Sequence, residues 1–173
     1  MSMIIQVLLG LLTAGAPVQP AGADSTAVYS AILREIRAER PSSPVVLATA
    51  RSAVECMPLC GAFSEEGAAR PDETTHSPAL LDALRDAGLV DAVCVVPRGT
   101  FGCSGPPGRV FVAMGPLTDD TPEGGARQEG AVWVKVAVSR AGPNGGNSYG
   151  YRVLVAREGC GWRVIRRRPE FFI

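Results

Sequence analysis

The spacing of apolar residues predicts a first helix over residues 26–39. Its apolar positions recur at intervals of three and four residues, at Tyr29, Ile32, Leu33 and Ile36. Asp24 or Ser25 can cap the predicted start, and Pro41 ends the helix because proline cannot continue it. We expect this helix to bury one face and to expose its charged face.

A second helix is predicted directly after Ser77. Ser77 is a good N-cap, Pro78 fits the first helical position, and Gly88 fits the C-terminal cap. The apolar face of this helix would consist of Leu80, Leu81, Leu84 and Ala87.

Apolar runs and alternating patterns predict strands in the rest of the chain. They lie at residues 44–50, 90–96, 109–114, 131–140, 149–157 and 162–167. The alternation is clearest in 131–140, where four valines point one way and Trp133, Lys135, Ala137 and Ser139 point the other. We expect the valine side to belong to the core.

Helices early in the chain and antiparallel strands late in it predict an α+β fold. The expected architecture is a pair of N-terminal helices packed on a curved, mainly antiparallel sheet that ends in a three-strand meander. Residues 51–75 show no clear period and are interpreted as a long loop. A short helix within it, or a functional role, would account for its length.

The first 23 residues resemble a secretory signal peptide. An uncharged apolar run over residues 4–12 is followed by Ala21-Gly22-Ala23, an A-x-A-like cleavage site. The sequence therefore predicts a signal peptide at 1–23, a single domain at 24–173, and a periplasmic or secreted location in a bacterium. The segment before the run has no Lys or Arg, so a buried strand or helix is the alternative.

Charge and composition limit the classes of partner. Seventeen basic and seventeen acidic side chains give a formal net charge of zero, which provides no electrostatic reason to expect nucleic acid. No later run is long enough to span a bilayer, so no stable membrane insertion is expected after signal cleavage. A small molecule or a protein remains as the expected kind of partner.

Five cysteines are disulfide candidates in an exported chain, and their odd number leaves at least one thiol unpaired. They are Cys56, Cys60, Cys94, Cys103 and Cys160. Cys94 lies in an apolar run and is compatible with a small buried hydrophobe. Cys103 and Cys160 lie in glycine-rich turns, where a crosslink is easier to form.

The end of the chain has a strand, a tight turn and a returning Gly-Trp-x-Val strand. Residues 151–157 (Tyr-Arg-Val-Leu-Val-Ala-Arg) are followed by Gly161-Trp162-Arg163-Val164-Ile165. This hairpin resembles the closing hairpin of NTF2-like and cystatin-like domains, and it is similar to that of uncharacterised secreted bacterial domains. The resemblance implies a sheet packed on helices with a pocket between them, and it transfers no catalytic residue to this chain.

The sequence offers little for catalysis. The only histidine, His76, lies beside no nucleophile motif and is interpreted as a solvated residue before a helix cap. The spacing of Cys56 and Cys60 suits neither a redox pair nor a zinc site, so no metal and no cofactor are predicted. Acid–base chemistry would have to use carboxylates, for example Asp91 with Glu55 or Asp82.

A binding surface is predicted around Trp133, Lys135, Tyr149 and Tyr151, which would share a sheet face if their strands pair. The alternative is a second small core. Arg166-Arg167-Arg168 is interpreted as a solvated edge strand that is protected against aggregation.

The sequence favours an exported binding or interaction module over an enzyme. A secreted hydrolase or isomerase, with a carboxylate-based pocket between sheet and helices, is the alternative. A structural role through the exposed edge strand is a third option.

Overall fold

The computed structural model describes residues 24–51, 75–95, 107–119, 128–140 and 147–172. These residues form two helices, α1 (Ser25–Glu39) and α2 (Pro78–Asp86). They also form six strands, β1 (Val45–Ala48), β2 (Ala92–Cys94), β3 (Val110–Thr118), β4 (Ala131–Arg140), β5 (Asn147–Glu158) and β6 (Gly161–Phe172).

Both helices begin at the caps that the sequence predicts. The Asp24 carboxylate accepts hydrogen bonds from the amides of Thr26 at 2.9 Å and Ala27 at 3.3 Å. The Ser77 hydroxyl oxygen accepts one from the Leu80 amide at 3.3 Å, which satisfies a first-turn donor of α2. Gly88 has φ +66°, the left-handed conformation that ends a helix at least cost when the residue is glycine.

The strands form one mixed sheet in the order β2-β1-β3-β4-β5-β6. β1 pairs in parallel with both β2 and β3, and β3 to β6 pair antiparallel in sequence. The α+β class is thus confirmed. The parallel part was not predicted, and the antiparallel run contains four strands rather than three. A short apolar run such as Val45–Ala48 fits a strand buried on both faces, in a parallel sheet or in a sandwich core, so it does not by itself fix the strand direction.

The two faces of the sheet differ in what they carry. On the face that we call the helix face, the four β4 valines and the buried Val153 and Val155 of β5 pack with the apolar sides of α1 and α2. On the opposite face, which we call the back face, Ala131, Trp133 and Leu154 form a smaller buried cluster. The valine side of β4 is therefore core, as predicted.

Polar contacts fix the helices to the sheet. The Arg37 guanidinium bonds the Asp91 carboxylate, which also accepts a hydrogen bond from the Val45 amide at 2.7 Å. The buried Tyr29 hydroxyl donates to the carbonyl oxygen of Gly115 at 2.9 Å. Neither described helix combines the length and the apolar character needed to cross a bilayer.

Candidate functional site

Positive charge is concentrated on the back face, where three strands place cations in line. Lys135 of β4 lies directly opposite Arg152 of β5, and Arg152 lies directly opposite Arg168 of β6. We call these three residues the cation row. Like charges at directly opposed positions repel one another, and the bond of Arg152 to Glu170 offsets part of this repulsion.

The outermost strand extends this charge along the edge of the sheet. Arg163 and Arg166 of β6 lie opposite back-face residues of β5, and both are exposed. Ile165, between them, is 49 % exposed, which is unusual for a large apolar side chain of this protein. β6 pairs with β5, and no other described strand pairs with it.

Two carboxylates partly balance these cations. Glu170 bonds Arg152, and Glu158 bonds Arg163 at 3.3 Å. Arg166 forms no ion pair with any described residue. Among the described residues, five cations thus lie on the back face of β4 to β6, and Lys135 and Arg168 also have interaction partners.

The structure separates the four residues predicted to form a binding surface. Trp133 and Lys135 lie on the back face, whereas Tyr149 and Tyr151 lie opposite Val138 and Val136 on the helix face. The expectation of one shared face is wrong because the register pairs odd positions of β4 with even positions of β5. Trp133 is also 6 % exposed, which leaves little of its ring for a partner.

The two tyrosines contribute to the helix side of the domain. Their rings stack at 5.8 Å between centroids, and the Arg167 guanidinium lies 5.4 Å from the Tyr151 ring centroid. Burial raises the pKa of Tyr151, whose hydroxyl has no hydrogen-bond partner among the described residues. Arg167 bonds Glu35 and Glu39 of α1. Burial lowers the pKa of Arg167, but the bonds to the two carboxylates outweigh this effect, so the pKa is raised.

His76 is buried and is not the solvated residue expected from the sequence. It is 2 % exposed, and its ring meets the Tyr29 ring edge-on, with 5.2 Å between centroids and 82° between planes. Burial, assisted by the charge of Arg51 and opposed by the Met114 carbonyl, lowers its pKa to about 4. The imidazole is therefore neutral at physiological pH.

The carboxylates considered for acid–base chemistry do not form a site in the described residues. Asp91 bonds Arg37 and the Val45 amide, so it serves the fold. Asp82 is exposed and pairs with Arg85 at 3.1 Å, one helical turn away. Glu55 lies outside the described residues, as do Cys56, Cys60 and Cys103. Nowhere in the described segments do three His, Cys, Asp or Glu side chains meet as metal ligands would.

The two described cysteines differ from what the sequence predicts, which is an easier crosslink at Cys160 than at Cys94. Cys160, in the turn between β5 and β6, is exposed and has a free thiol. Cys94, at the end of β2, is not a free thiol. The turn position therefore does not produce a crosslink at Cys160.

The sequence reasoning missed Arg152 and Arg168 as members of the cation row. The alternation of β5 and β6 identified each strand, but the register between them decides which charges meet. Register shifts interrupt this pairing at two places, between Gly150 and Tyr151 and between Leu154 and Val155. No local signal in the sequence fixes such shifts.

Comparison with known proteins adds little. No protein-family model matches the chain, and no curated protein matches it. Among solved structures, it is similar to the sugar N-methyltransferase KedS8 from Streptoalloteichus sp. ATCC 53650. The identity is 17 %, the match covers 99 % of this chain and 85 % of that chain, and the TM-score is 0.23. A TM-score this low carries no argument about fold or function, and the NTF2-like or cystatin-like resemblance stays a prediction.

Proposed function

We propose that the chain is an exported, non-enzymatic interaction module that binds an extended acidic segment of another protein along β6. The observation that carries this proposal is the edge strand itself, where Arg163, Arg166 and Arg168 accompany the exposed Ile165. An added strand would pair with the backbone of β6, and its carboxylates would meet these arginines.

Charge argues against a second copy of the chain as the occupant. Two β6 strands paired edge to edge would bring arginine-rich strands together, and opposed like charges are unfavourable. A foreign acidic segment would instead neutralise the edge. Lys135 and Arg152 supply further positive charge on the same face. Ile165 would give the partner an apolar contact within a polar surround, as interfaces commonly do.

Fluorescence anisotropy with a labelled peptide of alternating glutamate and valine tests this proposal. We expect saturable binding that weakens with salt, and no binding of the matched lysine–valine peptide. The double variant Arg166→Gln and Arg168→Gln should bind about tenfold more weakly, since each lost charge is worth up to about 1 kcal/mol.

The matched control is Arg34→Gln combined with Arg40→Gln, which removes two positive charges from α1 and its C-cap. This variant should bind the glutamate–valine peptide as the unaltered chain does. Equal weakening by both double variants would show that only net charge matters, and the proposal would fail. Equal or tighter binding of a single-stranded oligonucleotide would point to a different class of partner.

Export is part of the proposal and is supported by the leader-like residues 1–23. Cleavage after Ala23 would leave Asp24 in place as the cap of α1. We also propose that Cys94 is bridged to one of Cys56, Cys60 and Cys103, which requires an oxidising compartment. N-terminal sequencing of exported protein should begin at Asp24, whereas retention of Met1 would contradict cleavage.

The rival function, a carboxylate-based hydrolase or isomerase, has less support. Asp91 is committed to Arg37 and to the Val45 amide, and Asp82 is an exposed helix residue.

A further inference from the structure

Two polar side chains converge near the carboxyl end of β1, on the helix face of the sheet. Ala50 and Thr75 form an isolated antiparallel bridge, and the His76 amide donates to the Thr49 carbonyl at 2.9 Å. Arg51 directly follows this bridge. The chain thus brings Arg51 and His76 to the same place, although 24 residues separate them in sequence.

Both side chains hold buried polar atoms that lack a partner. The two ring nitrogens of His76 and the Nε of Arg51 are inaccessible to solvent, and none of them makes a hydrogen bond of normal geometry with a described residue. The Met114 carbonyl acts on the imidazole electrostatically without such a bond. Buried polar atoms in proteins are almost always hydrogen-bonded, because a buried polar atom without a partner loses its bonds to water and gains none in exchange. A neutral imidazole has one donor and one acceptor nitrogen. The Arg51 Nε–H and the single imidazole N–H are therefore the donors that a hydrogen-bond acceptor could satisfy.

The neighbouring groups fix the position of this cluster. Tyr29 from α1 is anchored by its bond to the Gly115 carbonyl of β3, and its ring holds the His76 ring edge-on. The Ala50–Thr75 bridge and the bond from the His76 amide to the Thr49 carbonyl bring the chain at Arg51 next to His76. The cluster is therefore built from α1, β3 and the segments that flank β1 and α2.

We propose that Arg51 and His76 form a binding site for a small monocarboxylate. The Arg51 Nε–H and one imidazole N–H would each donate to a carboxylate oxygen, which gives charge-assisted bonds. A single guanidinium balances a single negative charge. Phosphate near neutral pH is partly a dianion, and the second charge of the dianion would be left uncompensated in a buried site.

NMR of the one histidine tests the site directly. The probe is sodium acetate, added to the untagged full chain at constant ionic strength, with sodium chloride and sodium phosphate as comparison salts. We expect a saturable shift of the His76 ring carbon-bound protons with acetate and a smaller or absent shift with the other salts. The His76 pKa should also rise when acetate is bound, because an adjacent anion favours the imidazolium.

Variants separate binding from unspecific effects. Arg51→Gln should abolish the acetate-dependent shift, while Arg34→Gln, a matched loss of charge on the exposed side of α1, should retain it. Arg51→Lys keeps the charge but loses the planar donor, so its shift should saturate only at higher acetate concentrations.

Two results would overturn the proposal. One is the absence of an acetate-dependent shift at about 100 mM, a concentration that would fill even a 1 mM site almost completely. The other is an equal response to chloride or phosphate, which would indicate a general salt effect. If Arg51→Gln fails to fold, the titration of the unaltered chain and of Arg51→Lys still decides the question.

Discussion

The Arg167 guanidinium of β6 donates to the Glu35 carboxylate of α1, with 3.1 Å from Nε to the oxygen. Glu39 on the next turn of α1 binds the same guanidinium. Arg167 alternates with Arg166 and Arg168, which lie on the back face. In β6, Arg167 therefore binds α1, whereas Arg166 and Arg168 place positive charge on the back face at the sheet edge.

We expect Arg167→Gln to lower the free energy of unfolding by about 1–2 kcal/mol. The value stays modest because the side chain is 31 % exposed and solvent screens its ion pairs. Urea denaturation followed by circular dichroism measures the change. Arg166→Gln, one residue away without an ion pair to a described residue, should alter stability by less than about 0.5 kcal/mol. Equal effects would contradict a fastening role for Arg167.

The hydroxyls of Tyr151 and Tyr29 provide a matched pair. The Tyr151 hydroxyl is buried and lacks a partner in the described part of the chain, so Tyr151→Phe should be neutral or stabilising. Tyr29→Phe should cost about 1–2 kcal/mol, because it leaves the buried Gly115 carbonyl without its donor. Thermal unfolding of both variants checks the order, and a larger loss from Tyr151→Phe would contradict this account.

Burial of His76 predicts a specific dependence of stability on pH. Its pKa falls from an ordinary 6.5 to about 4 on folding, so the unfolded chain binds the proton more readily between these values. Stability is therefore unaffected by this group above pH 6.5 and is lost as the pH falls towards 4, by roughly 3 kcal/mol in all.

The matched variant for this measurement is His76→Gln, which does not titrate. Urea unfolding from pH 7 to pH 4, in buffers without carboxylates, should give the unaltered chain a steeper loss of stability than His76→Gln. Parallel curves for the two proteins would show that His76 is not buried in its neutral form.

Substitution of Asp91 tests whether this carboxylate has a structural or a catalytic role. Asp91→Asn should lower stability by about 1–3 kcal/mol, because the carboxylate bonds both Arg37 and the Val45 amide. Asp82→Asn, which breaks only an exposed pair with Arg85, should change stability by less than about 0.5 kcal/mol. An unchanged stability of Asp91→Asn would reopen the case for acid–base chemistry at this residue.

Local elements of this fold could be predicted from the sequence, and long-range placements could not. The cap residues Asp24 and Ser77 act through neighbours two or three positions away, so the sequence reveals them. The alternation of β4 likewise indicates its core side.

The cation row and the burial of His76 depend on contacts between distant segments. Lys135, Arg152 and Arg168 meet only because of the register between β4, β5 and β6. His76 is buried only because the segment before α2 returns to the end of β1. Hydrophobic periodicity contains neither kind of information, and for this reason the predicted binding surface combined residues from opposite faces.

Mapping of the bound peptide by two-dimensional NMR of the ¹⁵N-labelled chain tests the central claim most directly. When the glutamate–valine peptide is added, amide shifts should concentrate on β6 and on its back-face neighbours Arg152 and Lys135. The amides of α2 should stay unchanged. Shifts centred on the helices, or none at peptide concentrations that saturate the anisotropy signal, would contradict binding at the edge of the sheet.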